Sequence, residues 1–420
     1  MFGKAAGEAD DDVVLHDSIT LSTCIGPSIV MPEQSRPGPR ILIIGGTQFM
    51  GRHLTERLLK HTEYTIGLLN RGRTKSPFNF DGRRLLHLKC DRFDRHSFRR
   101  VLRTTGPWNF VIDFLCFRRR NAKDVVAALW PACSDETLSQ DRSLKCYVMI
   151  STDSVYMPCR PSCRKNGILE SDAIPPRSVR EQRVVASRDP YQLEYGGGKL
   201  EAEKYLHTTC KEIGFPFVAL RLPDVIGPYD NQTGFLGLRR RVLKRKKIGL
   251  RIGNCCSHEG CSGRTHRVSI VFAADVARLI HSIIEQLSDD HSSCSSSAIG
   301  KAFNVACIEQ LTFLDFVTLV ASHLDQSPKY SLSKDAPMVT VDVGPVNTDL
   351  VRETFNFTPS SIRDVVATTL KWFERSRHRK YTRDLDRSSS SDDESDDEAS
   401  SQHRSGSAPS SGTSSSTDSS

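Results

Sequence analysis

The sequence has no uninterrupted apolar run of the roughly 18–20 residues that a membrane-crossing helix needs. It also lacks a basic segment followed by an apolar one near its start. Glu8, Asp10, Asp11 and Asp12 stand there instead, which argues against a secretory or transit signal. Apolar residues make up only 38% of the 420 and aromatic residues 7%, little for a chain folded throughout. The shortfall collects at the ends. Residues 387–420 hold 16 serines, almost no apolar side chain, and seven acids against two arginines. Such a segment cannot bury enough surface to offset its ordering entropy, so 381–420 is expected to be a disordered tail and 1–38 a disordered arm. The formal net charge is +8, so the excess of positive charge lies upstream of the tail. Cysteine is plentiful at 13, but the number is odd and the positions scattered. With no export signal, this pattern predicts reduced thiols and a cytoplasmic protein. Cys159 with Cys163, and Cys255, Cys256 and His258 with Cys261, fall short of the two tight ligand pairs of a structural zinc site. No metal is expected.

Between these ends, short apolar runs alternate with helical patterns. ILIIGG, YTIGLLN, LLHLKC, FVIDFLC, KCYVMIST and FPFVALRLP read as strands. HLTERLLK, HSFRRVLRTT, AKDVVAALW and YGGGKLEAEKYLHTTCKEI read as helices. Alternation of this kind predicts an α/β fold, a Rossmann-type doubly wound parallel sheet covered on both faces, over residues 39–222. After Pro223 the pattern changes. A smaller substrate lobe is expected over 223–380, interleaved with the end of the sheet. No internal repeat is visible.

Gly45, Gly46, Thr47, Gln48, Phe49, Met50 and Gly51 end the first strand and open the first helix. In that context a glycine-rich turn points to a dinucleotide. Gly45 permits the tight turn and Gly51 the close approach of helix to strand. The free N–H groups of the helix start face the pyrophosphate. Gln48 departs from the pattern, standing where a middle glycine belongs. After the second strand the chain reads Leu69-Asn70-Arg71-Gly72-Arg73, with no carboxylate before Asp81. Two cations in the place of a ribose-binding acid favour NADP over NAD.

Tyr195 and Lys199 lie four apart on a predicted helix, so they share one face. A lysine beside a phenol favours phenolate, which would bring Tyr195 into range as an acid or base. Thr152 ends a strand, where a parallel sheet presents side chains to ligands.

GGTQFMG, CDRFD, FVIDFLC, STDSVY, YGGGK, RLPDVIGP, FAADVA and AFNVA together resemble the extended and atypical short-chain dehydrogenase/reductases, the NAD-dependent epimerase/dehydratase family. The resemblance runs from about Arg40 to about Glu374. It implies Thr152, Tyr195 and Lys199 as the catalytic residues and Asp91, with Arg92 beside it, at the adenine. Pro223 would border the nicotinamide. The substrate implied is a nucleotide-sugar or a similar small molecule. ISTDSVY is similar to the STDEVYG of nucleotide-sugar 4,6-dehydratases. Asp153 is retained there, but Ser154 replaces the glutamate. Arg267 lies eight residues before Asp275 of the D-V-A segment, one more than is usual for the phosphate-binding arginine. The GGTxFxG turn is similar to that of chloroplast stem-loop-binding proteins, so an RNA-binding or scaffold role is the alternative.

Arg239, Arg240, Arg241, Lys244, Arg245, Lys246 and Lys247 predict a basic helix over 239–247. It would be a solvated face, a phosphate-contacting wall or a weak RNA footprint. Serines placed before acids at 388–398 resemble substrates of an acid-directed kinase. A homodimer is possible on this reading, and a membrane is not a partner.

Overall fold

The structure, a computed structural model, describes residues 38–130, 143–162, 166–251, 267–289, 297–333 and 344–376. The expected arm, the tail with its kinase motif, Cys163, and the group from Cys255 to Cys261 lie outside the described residues.

The first half runs β1 (Arg40–Ile44), α1 (Phe49–Leu58), β2 (Thr65–Asn70), β3 (Leu85–Lys89), α2 (Arg95–Thr105), β4 (Phe110–Asp113), α3 (Arg119–Leu129), β5 (Cys146–Thr152), α4 (Val179–Ala186), α5 (Pro190–Ile213) and β6 (Phe217–Leu222). It continues with β7 (Asp224–Ile226), α6 (Thr233–Leu243), β8 (Lys247–Arg251), β9 (Arg267–Val268), β10 (Ile270–Phe272) and α7 (Ala273–Ser288). The last elements are β11 (Lys301–Asn304), β12 (Leu311–Thr312), α8 (Phe313–Ser322), β13 (Lys329–Ser333), α9 (Asp349–Phe355) and α10 (Ile362–Ser376).

Seven strands form one sheet in the order β3-β2-β1-β4-β5-β6-β11, every pair parallel. The central strands are buried on both faces. Ile41 and Ile43 join a core with Leu54 and Leu58 of α1 and Ile280 and Ile284 of α7. Leu42 and Ile44 join a second core with Phe98, Val125 and Leu206 of α2, α3 and α5. Two buried faces are why these runs are apolar at every position rather than at alternate ones. Strand order reverses between β1 and β4, which opens a crevice beyond their carboxyl ends.

Residues after Pro223 form a smaller lobe with its own core of Phe235, Leu238, Ile270, Phe316, Val366 and Phe373. The chain then returns, because α7 packs on α1 and β11 completes the sheet. Among the described residues all six cysteines are free thiols, and no helix is long and apolar enough to cross a membrane.

Two local expectations need correction. Tyr195 is not at a helix start: α5 begins five residues earlier, at Pro190, with Asp189 accepting the Gln192 N–H at 2.8 Å. Proline at the first helical position and an acidic N-cap make that the stronger start signal. The basic helix also stops at Leu243. Arg245 takes a left-handed backbone (φ 52°) and Lys247 opens β8. Arg239 is buried with its guanidinium 5.6 Å from the Phe373 ring, and Arg245 donates to Gln326 at 3.1 Å. The cations of 239–247 therefore do not share one helix face.

Candidate active site

The glycine turn closes the carboxyl end of β1. Gly45 has φ 93°, which a side chain tolerates poorly. A Cβ on Gly51 would run into the Gly45 carbonyl oxygen. Thr55 Oγ1 donates to the carbonyls of Gly46 (2.8 Å) and Gly51 (2.9 Å), tying the turn to α1.

A cavity of about 420 Å3 lies over this turn. It gathers Gly45, Thr47, Gln48, Phe49, Met50, Gly51, Asn70, Arg71, Arg73, Asp91 and Arg92, eleven of the twelve residues assigned to a cofactor from sequence. Pro223 is not on its wall; it is buried between β6 and β7. Phe114, Leu115 and Phe117 also line the cavity, with Asn231 and Gln232 from the smaller lobe. Sequence reasoning missed these five, and only the position of Phe114, Leu115 and Phe117 after a strand could have flagged them.

The cavity fits a dinucleotide in its polar groups. Asn70 Oδ1 accepts the Gly72 N–H at 2.8 Å, while its Nδ2 is buried with no hydrogen-bond partner among the described residues. Arg92 is nearly inaccessible and pairs with Asp113 at 2.8 Å, yet its Nε and Nη1 are likewise unpaired. Buried donors without acceptors suit a ligand rich in oxygen. Asp91 Oδ1 accepts from the Phe93 N–H at 2.9 Å. Arg71 and Arg73 are exposed at the rim, and no ion pair holds either one among the described residues. Asp81, the next acid along, is spent on the N–H groups of Arg83, Arg84 and Leu85.

At the ends of β5 and α5 the sheet presents Thr152, Tyr195 and Lys199. The three glycines between Tyr195 and Lys199 would weaken an exposed helix. Here a Cβ on Gly196 would collide with the Ser154 carbonyl oxygen, and one on Gly198 would lie 2.7 Å from that of Phe117. The glycines let α5 press onto both strand ends and so set the height of the phenol. Thr152 Oγ1 accepts from the Ser154 N–H (3.2 Å) and lies 3.1 Å from Ser154 Oγ.

The electrostatics reverse the sequence expectation for Tyr195. Burial, then the nearby Asp153 carboxylate, push its phenol up to about 12, against a Thr152 hydroxyl contact that lowers it. Lys199 does not offset this. Its ammonium is 5.8 Å from the Tyr195 ring centroid, donates to the Ile150 carbonyl at 2.6 Å, and lies over Phe117 at 4.8 Å. Burial lowers the Lys199 pKa in turn.

Asp153 lies at this end, coupled electrostatically to Asp224, and Asp224 in turn to Asp230 on the loop between β7 and α6. Burial, reinforced by Asp224, holds Asp153 well above the usual carboxylate range. Burial also brings Asp224 and Asp230 up to about 7, Asp224 further pressed by Asp230. Among the described residues no three His, Cys, Asp or Glu side chains converge as a metal site. Arg267 is exposed on β9 and donates to Gln310 at 3.3 Å.

Behind the site, Arg221 of β6 grips Glu203 of α5 at 2.7 and 3.1 Å and donates to the Tyr156 hydroxyl at 2.9 Å. Ser151 donates to the same Glu203. This buried network ties α5 to β5 and β6 one residue before Thr152 and one turn beyond Lys199.

The profile of the NAD dependent epimerase/dehydratase family matches residues 41–306. The chain belongs to that family. Its membership makes this an enzyme of the short-chain dehydrogenase/reductase superfamily with a nicotinamide dinucleotide as cofactor. No curated protein matches the sequence significantly. The fold is similar to dTDP-glucose 4,6-dehydratase of Bacillus anthracis in complex with NAD, at TM-score 0.58 and 16% identity, covering 83% of this chain and all of that one. UDP-glucose 4-epimerase of Thermotoga maritima, solved with UDP-glucose, gives 0.56 and 16%, covering 81% of this chain and 100% of that one. UDP-glucuronic acid 4-epimerase of Bacillus cereus, with its substrate and NAD, gives 0.54 and 18%, covering 80% and 99%.

Proposed function

We propose that the protein oxidises and re-reduces a hydroxyl carbon of a nucleotide-sugar, as an epimerase or a reductase. The observation that carries this reading is the meeting, at the carboxyl end of the parallel sheet, of a dinucleotide cradle with Thr152, Tyr195 and Lys199. The bound nicotinamide supplies or accepts hydride. Tyr195 holds a proton at its phenol oxygen and gives it to, or takes it from, the substrate oxygen. Burial holds the phenol at about 12 in the ligand-free protein, so it must ionise before it can take the substrate proton, a change that the positive charge of a bound oxidised nicotinamide favours. Thr152 orients the same oxygen. Lys199, anchored on Ile150, fixes the pitch of α5 and presents positive charge to a ligand in the cleft. Asp153 is a second buried proton donor at the strand end. Ser154, in place of a glutamate, leaves dehydration without its usual base and favours epimerisation or reduction.

The rim arginines support NADP over NAD. Arg71 and Arg73 offer cations at the rim, and Asp91 is the only carboxylate among the described residues that line the cavity. RNA enters this reading only as a weak, salt-sensitive partner. A cytoplasmic location and a homodimer are parts of the same proposal.

The test is incubation of the full-length protein with UDP- and dTDP-hexoses and either dinucleotide, followed by NMR of the sugar. The expected result is an epimeric or reduced sugar. Failure to bind either dinucleotide in titration calorimetry would overturn the proposal.

A further inference from the structure

Gln48 stands at the N-terminal end of α1, where a middle glycine would leave the phosphate path open. Its side chain spans the cleft. The amide nitrogen donates to Thr74 Oγ1 (3.4 Å) beyond β2, and the amide oxygen accepts from Asn231 Nδ2 (3.2 Å) on the loop between β7 and α6. All three residues line the same cavity. Two hydrogen bonds therefore run from wall to wall over the turn that faces the phosphates.

The loop carrying Asn231 is docked on α1 by two further contacts. The Arg52 guanidinium lies 3.7 Å over the Tyr229 ring, and His53 Nε2 is 2.9 Å from the Pro228 carbonyl oxygen. Tyr229 holds φ 65°, a region that non-glycine residues seldom adopt. Asp230 Oδ1 accepts the Gln232 N–H at 2.8 Å and completes the turn. The position of Asn231 is thus set by the helix that Gln48 begins.

We infer that Thr74, Gln48 and Asn231 form a clasp across the dinucleotide cleft, which keeps a nicotinamide dinucleotide bound from one turnover to the next. The inference rests on the dinucleotide reading proposed above and sharpens it. A retained cofactor must end each cycle in the oxidation state in which it began. Hydride taken from the substrate carbon returns to that carbon, and the substrate hydroxyl proton, accepted by Tyr195 as its phenolate, returns to the substrate oxygen. The net reaction is then redox-neutral with no external reductant, and return of the hydride to the opposite face of the carbon makes it an epimerisation. A reductase needs the opposite, exchange of spent cofactor at every cycle.

A clasp obstructs entry and exit alike, whereas a direct contact to the ligand slows exit alone. Stopped-flow fluorescence of NADPH and NADH with the full-length protein, stripped of bound dinucleotide, separates the two. Gln48→Ala and Asn231→Ala should each raise both the association and the dissociation rate by about threefold to tenfold, the range of one ordinary hydrogen bond. The equilibrium constant should stay within about twofold. The double variant should be no faster than the faster single one, because both changes break one chain of bonds. Dissociation that rises alone, rates that do not move, or additive effects would each overturn the clasp while leaving the dinucleotide site intact. A wild-type protein that binds neither dinucleotide would overturn the parent reading and the clasp with it.

Discussion

At the β1–α1 end of the cleft the functional atoms belong to the backbone, and the charged side chains around them are three arginines and Asp91. At the β5–α5 end they belong to side chains, and the titratable groups are Tyr195, Lys199 and Asp153, with Asp224 and Asp230 coupled to Asp153 in turn. The first end is held by glycines that admit no Cβ, the second by burial that raises the pKa of its acids. One end is built to receive negative charge and the other to hold protons. A phosphate-bearing cofactor and a hydroxyl-bearing substrate suit these two ends in turn.

The strongest way to break the contrast is at the proton-holding end. Tyr195→Phe keeps the ring in its place beside Phe117, 6.4 Å between centroids, and removes the transferable proton. Turnover on a converted sugar should fall by roughly two to four orders of magnitude, with dinucleotide affinity nearly unchanged. Full activity in that variant would remove Tyr195 from the chemistry.

Arg71→Asp tests the cation-lined end. The wild type should prefer NADP to NAD by at least about tenfold, and the variant should reverse the order, since an acid replaces the cation. Calorimetric titration of both dinucleotides decides it. Equal affinity in the wild type would mean that the arginines serve solvent.

Gly51→Ala asks whether the backbone cradle is as tight as it looks. The new methyl meets the Gly45 carbonyl, so the turn must open. Overpacking of this kind costs about 1–3 kcal/mol, readable as a lower melting temperature together with weaker dinucleotide binding. A variant as stable as the wild type would show slack in the turn.

The two ends also differ in how much of them the sequence discloses. The cradle is written in local residues: an apolar strand, glycines at fixed offsets, a helix start. The parallel sheet follows from the same alternation of strand and helix. Tyr195 and Lys199 were visible by spacing, but their mutual influence was not. Spacing of four puts two side chains on one face and says nothing of which partner the ammonium takes, here the Ile150 carbonyl from a strand 49 residues upstream. Asp224 and Asp230 gave no signal either, because their state depends on burial under elements far along the chain. The end of the basic helix was missed for a related reason. Arg245 adopts a left-handed backbone where β8 must pair with β13, and that pairing partner lies some eighty residues on.

The carboxyl end should leave its own mark on stability, smaller than the effects above and opposite in sign to ordinary acid unfolding. Asp230 is 1% exposed, and burial holds its carboxyl near 7. In the unfolded chain an aspartate titrates near 3.9. Between about pH 4 and pH 7 the native state therefore binds more protons at this group than the unfolded state does. Its contribution to stability is fully present below about pH 4 and is lost as pH rises through 7. Asp230→Asn removes that titration while keeping an oxygen to accept the Gln232 N–H. The variant should melt about 2–4 °C above the wild type at pH 8, and the gap should close toward pH 4. Scanning calorimetry at the two pH values measures both numbers. A gap of equal size at both would mean that Asp230 is ionised in the fold, and the proton-holding character of this end would then rest on Asp153 and Asp224 alone.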